Sequence, residues 1–101
     1  AAFALPSLDY FARHPKPRPL GGCRMLVLSP TRELAAQIAD SFRTYARFMR
    51  VSVETVFGGV PIGRQINKLK PGVDVLVATP GRLLDLIDQR ALTLRDVEIF
   101  V

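Results

Sequence analysis

L-V-L-S-P-T-R-E-L at residues 26–34 and L-V-A-T-P-G-R-L-L at residues 76–84 are two copies of one pattern. Each is an apolar run, then a hydroxyl residue, a proline, one further residue and an arginine where a helical pattern begins. Unbroken apolar runs of this length suit strands covered on both faces, as in a parallel sheet. A helix N-terminus presents unpaired N–H groups and a partial positive charge, so it accepts phosphate readily. Two such termini, each with a guanidinium fork, suit a ligand with several phosphates in a row, the backbone of a nucleic acid.

Working outward from these copies, strands alternate with helices. A strand over 24–29 leads to a helix over 30–49 with Leu34, Ile38, Phe42, Tyr45 and Met49 as one buried stripe. A strand over 51–57 ends at Gly58-Gly59. A short helix over 61–70 turns Ile62, Ile66 and Leu69 inward and stops at Pro71-Gly72. A strand over 74–78 precedes a helix over 80–90 that buries Leu83, Leu84 and Ile87, and a last strand covers 97–101. Upstream, residues 1–13 read as a helix with Ala4, Leu8 and Phe11 on one face and Pro6 at a kink or first turn. Residues 14–22, with prolines at 15, 17 and 19, read as an extended, exposed loop. His14, Lys16 and Arg18 are taken there as solvated rather than as ligand contacts.

This alternation implies βαβ units, right-handed crossovers and an α/β fold on a parallel sheet. In such a sheet strand C-termini and helix N-termini share one edge, where ligands bind. Arg32, Arg64 and Arg82 are expected on that edge. Arg43, Arg47 and Arg50 are expected at the far end of the long helix, complementing its dipole.

In the first copy Ser29 is the expected cap, Pro30 the first helical residue, and Arg32 lies in the first turn. An arginine there opposes the dipole unless an anion is near; otherwise it is simply a solvated side chain on a capped helix. Thr79, Pro80 and Arg82 repeat the arrangement. Gly81 is poor helix material, costing about 1 kcal/mol against alanine, and suits close approach of another backbone. Gly58-Gly59 is either a tight turn or a nest of N–H groups for an anion; its place between the two copies favours the anion. Glu33 is read as a first-turn acid, not a catalytic one.

Composition narrows the options. The chain has 101 residues, 49% of them apolar, and fourteen Lys+Arg against nine Asp+Glu, a net +5 that favours polyanion partners. Eleven of those cations are arginines. Cys23 is alone, so neither a disulfide framework nor a metal cluster is expected. No apolar run reaches membrane length and no signal peptide is read, so the expectation is a cytoplasmic protein with no membrane partner. G-x-x-x-x-G-K-[ST] and G-x-G-x-x-G are both absent from the sequence. The chain begins without Met inside a helical pattern and stops on V-E-I-F-V, so it is read as part of a longer protein.

P-T-R-E-L-A at 30–35, Gly58-Gly59 and T-P-G-R at 79–82 resemble, in order and spacing, motif Ia, the GG motif and motif Ib of DEAD-box ATP-dependent RNA helicases. The resemblance covers essentially the whole chain and is similar in flavour to the bacterial RhlE-type branch. A-A-F-A-L-P at 1–6 resembles the helix after Walker A, and V-E-I-F-V at 97–101 the strand running into D-E-A-D. The resemblance implies a partial RecA-like domain of P-loop NTPase type, lying between Walker A and the DEAD box, with the Walker A strand missing. It implies RNA as partner, as a single strand or short duplex, held through Pro30, Thr31, Arg32, Gly58, Gly59, Thr79, Pro80, Gly81 and Arg82. It implies ATP and Mg2+ as cofactors of the parent, bound by motifs outside this stretch, and a second RecA-like domain that closes on the first and separates duplexes locally. By this reading the parent is an ATP hydrolase, and this piece has no catalytic residue and is inactive and weakly stable alone. A non-catalytic nucleic-acid-binding module that has lost the ATP motifs stands as the alternative. An unrelated flavodoxin-like or nucleotide-sugar fold would not explain three motifs in order.

Overall fold

The computed structural model describes Tyr10, Arg13, residues 20–47 and residues 51–101. The readings of 1–13 and 14–22 as helix and loop, and of Met49 and Arg50, fall mainly or wholly outside these residues.

The strands are β1 (Cys23–Leu28), β2 (Val53–Val56), β3 (Val73–Ala78) and β4 (Ile99–Phe100); the helices are α1 (Arg32–Ala46), α2 (Ile62–Leu69) and α3 (Pro80–Asp88). The strands form one parallel sheet in the order β2-β3-β1-β4. The expected α/β fold is therefore present; β1 and β3 match the expected runs to within a residue, whereas β2 and β4 are shorter than the expected 51–57 and 97–101. Backbone pairing persists past β4: Val101 N donates to Leu26 O and Leu28 N to Val101 O.

Alternate residues of each strand face opposite layers, which is why the runs are apolar throughout. Met25, Val27, Val53, Val75 and Val77 pack with Ala35, Ala39, Phe42 and Ala46 of α1. Leu26, Val56, Leu76 and Ala78 pack with Leu69 of α2 and Leu83 and Leu86 of α3. The sheet is thus a middle layer with a core on each side.

Two predicted stripes differ from the observed ones. On α1 the buried line is Ala35, Ala39, Phe42 and Ala46, while Leu34 and Tyr45 are 40% and 44% exposed. Small alanines let the helix axis lie close to the sheet, and Phe42 fills the remaining depth; counting only large apolar residues turned the stripe aside. On α3 Leu83 and Leu86 are buried, whereas Leu84 is 60% exposed. Gly72 adopts φ +84 and its N–H returns to Leu69 O, closing α2 where Pro71-Gly72 was expected to.

The edge away from the strand C-termini is held by polar pairs. Ser52 N donates to Asp74 Oδ2 and Asp74 N to Ser52 Oγ. Arg43 donates to Val53 O from the last turn of α1. Buried Arg24 pairs with Glu98, which also accepts from the Tyr10 hydroxyl. Among the described residues no helix is long and apolar enough to cross a membrane.

Candidate nucleic-acid interface

Because all strands run the same way, the loops after β2, β3 and β1 leave one edge side by side. Strand order puts 79–82 in the middle, flanked by 57–60 and 29–32. Gly58-Gly59 therefore lies between the two copies along the sequence but beside the second copy in space. The loops are stitched by continuing ladder bonds: Ser29 N donates to Ala78 O and Thr79 N to Val56 O.

That stitching corrects the expected cap. Ser29 still belongs to the ladder and is 1% exposed, and its hydroxyl donates to Thr31 O. Thr31 is the N-cap instead, its Oγ1 accepting from Leu34 N at 3.1 Å, so Arg32 opens α1 and Pro30 lies outside it. In the second copy Thr79 is the N-cap residue and Pro80 the first helical residue, as expected, but the Thr79 side chain makes no cap bond. Glu33 lies in the first turn of α1, where its charge suits the dipole.

The two arginines behave differently. Arg32 is exposed, and its guanidinium lies over the Phe57 ring, 4.7 Å from the centroid. A Cβ on Gly59 would come 3.6 Å from Arg32 Nη1, so this side chain spans from α1 to the glycine loop. The stack is worth about 0.5–1 kcal/mol at an exposed site. Arg82 turns inward: its side chain is 11% exposed and Nη1 donates to Val60 O and to Gln65 Oε1, both at 3.1 Å. Its Nε is buried without a hydrogen bond, 3.9 Å from Asp85 Oδ2. Arg64 is exposed in the first turn of α2.

Gly59 adopts φ +85, a conformation costly for other residues, whereas a Cβ on Gly58 or Gly81 would meet only open space. Gly81 is thus not required by any neighbour among the described residues; what it leaves is bare backbone at the start of α3. Pro30, Thr31, Gly58, Gly59, Pro80 and Gly81 are all exposed along this edge, with Thr79 half-buried.

Two residues of the site escaped the sequence reading. Phe57 is the platform for Arg32. Gln65, 3% exposed, donates from Nε2 to Phe57 O at 3.0 Å while its Oε1 accepts from Arg82. Its signal was present: a lone amide on the otherwise apolar inward stripe Ile62, Ile66, Leu69. Among the described residues no cluster of His, Cys, Asp and Glu can hold a metal. Burial pushes the Cys23 thiol up to about 12, so it stays protonated near neutral pH.

The family model described as DEAD/DEAH box helicase matches residues 1–101. The chain belongs to the DEAD/DEAH box helicase family. It is 42% identical over 98 residues to the RNA helicase CrhR of Synechocystis, covering 97% of this chain and 19% of that protein. It is 42% identical over 99 residues to the ATP-dependent RNA helicase DBP2 of Gibberella zeae, covering 98% and 18%. Among solved structures, a hypothetical ATP-dependent RNA helicase from Sulfolobus tokodaii superposes with TM-score 0.80 at 40% identity, over 99% of this chain and 27% of that one. The yeast DEAD-box splicing factor Prp28 superposes with TM-score 0.87 at 31% identity, over 98% and 24%. The four-stranded parallel sheet with its flanking helices is thus the RecA-like arrangement of DEAD-box helicases. This DEAD-box chain spans about a fifth of the length of the curated relatives it matches.

Proposed function

We propose that this chain is the part of an ATP-dependent RNA helicase's first RecA-like domain between Walker A and the DEAD box, and that its strand-end edge holds the phosphate backbone of single-stranded RNA. The observation that carries the reading is Arg32, a guanidinium stacked on Phe57 beside Gly59, with no acceptor engaging it among the described residues. A phosphate at this point would meet a fixed cation. Thr31 and the backbone at Pro30 flank it, the exposed Gly58-Gly59 amides offer further donors, and Thr79, Pro80 and Gly81 continue the row, with Arg82 bracing the glycine loop behind it. Such contacts position a strand without reading its bases.

ATP and Mg2+ belong to this reading as cofactors of the whole enzyme. The described residues do not fit them: they offer no metal-capable cluster, and the sequence contains no glycine-rich phosphate loop ending in lysine. Those contacts, the hydrolytic chemistry and the second RecA-like domain are assigned to other segments of the enzyme. The share of this segment is to hold the strand.

The test is binding of single-stranded RNA by the full-length protein across a salt series. Arg32→Ala and Arg82→Ala should each weaken binding to any sequence. Arg32→Ala should also lower the slope of log affinity against log salt by about 0.7, the loss of one phosphate contact on a single strand. Unchanged affinity and slope in both variants would remove the assigned roles.

A further inference from the structure

We propose that Gln65 is a positioning residue that holds the glycine loop in its RNA-binding geometry and ties that loop to the first turn of α3. The inference rests on the RNA-gripping role proposed for this edge. Gln65 reaches the loop from α2, outside all three sequence motifs. Its side-chain amide is shared between two loops: Nε2 donates to Phe57 O at 3.0 Å, and Oε1 accepts from Arg82 Nη1 at 3.1 Å. The same Arg82 nitrogen donates to Val60 O. Phe57 and Val60 bracket Gly58-Gly59, so both ends of the glycine loop are fastened to one amide–guanidinium pair.

The pair is suited to fastening rather than binding. Gln65 is 3% exposed and Arg82 nearly as enclosed, so these bonds form where water competes little. The glycines between the fastened ends have no side chains to anchor them: a Cβ on Gly58 would meet nothing, and Gly59 sits at φ +85 with only the Arg32 guanidinium near the place of its missing Cβ. Without the fastening, a Gly-Gly pair would sample many conformations, and its two N–H groups would rarely point the same way. The Phe57 carbonyl is also the backbone of the residue that carries Arg32's platform, so the amide bears on the position of the outer guanidinium as well. Gln65 thus links all three RNA-facing loops without touching RNA.

The test uses the full-length protein and single-stranded RNA. Gln65→Met keeps side-chain length and removes both bonds. Gln65→Glu keeps an acceptor for Arg82, and so guards the fold, but cannot donate to Phe57 O. RNA affinity should fall about threefold to tenfold in either variant, the worth of one or two net hydrogen bonds. The salt slope should hold at the wild-type value, because no cation is lost. RNA-stimulated ATPase should keep its kcat while needing more RNA for half-saturation, a split that general destabilisation does not produce. If Gln65→Met melts below the assay temperature, Gln65→Glu alone decides. Wild-type affinity in a folded Gln65 variant, with Arg32→Ala still weakened, overturns the positioning role and leaves the grip standing. Wild-type affinity in Arg32→Ala, Arg82→Ala and the Gln65 variants together overturns both.

Discussion

The two S/T-P-x-R copies have nearly the same sequence and do different work. In the first, at 29–32, the serine finishes a strand, the threonine caps α1, and the arginine stays outside on Phe57. In the second, at 79–82, the threonine stands at the N-cap without a side-chain bond, and the arginine is drawn inward to Val60 and Gln65. The difference follows from position in the sheet. The second copy leaves the middle of the ligand edge, beside the glycine loop, where the carbonyl of Val60 and the amide of Gln65 lie within reach. The first copy leaves the neighbouring strand and reaches that loop only across its outer surface, where the ring of Phe57 supports it. Equal motifs thus become an outer cation and an inner brace.

The comparison would break most visibly at the inner brace. Arg82→Ala strands the amide oxygen of buried Gln65 and removes a bond to the Val60 carbonyl, so the full-length protein should lose about 2–3 kcal/mol of the stability of this domain in urea unfolding. A loss no larger than that of Arg32→Ala would show that the two arginines are equivalent after all. The threonines sharpen the contrast at a smaller scale. Thr31→Ala removes a cap bond and should cost about 1 kcal/mol, whereas Thr79→Ala should cost only a few tenths. Equal costs, read by thermal melts of the two variants, would contradict the assigned caps. Arg32→Ala should have the least effect on stability, about 0.5 kcal/mol from the lost stack, and its signature should appear in RNA binding instead.

Much of the fold could be read from periodicity alone. Alternating apolar runs and helical stripes located the sheet, its parallel sense and every helix within the described residues, because each run is buried on both faces and each helix on one. The motif residues were likewise visible, since S-P-T-R, G-G and T-P-G-R are local patterns. Three things were hidden for one physical reason. The α1 stripe ran through alanines rather than Leu34 and Tyr45 because the sheet demanded a close approach. The cap moved from Ser29 to Thr31 because Ser29 N pairs with Ala78 O, a residue nearly fifty positions away. Gln65 acquired a role because α2 carries it under the glycine loop. Each depends on what a residue meets across space, about which a local pattern carries no information.

By itself, then, the order of amino acids specified an α/β chain of the DEAD/DEAH box helicase family, with two arginine-bearing helix starts and a glycine pair at the ends of parallel strands. Strand periodicity and turn chemistry act over a few residues, so they are written in the chain. The spatial order of those loops, and the assignment of one arginine to the surface and the other to the interior, came only with the tertiary structure. Strand order β2-β3-β1-β4 brings Val60, Gln65 and Arg82 together from separate elements, and a guanidinium goes inward only where buried acceptors await it.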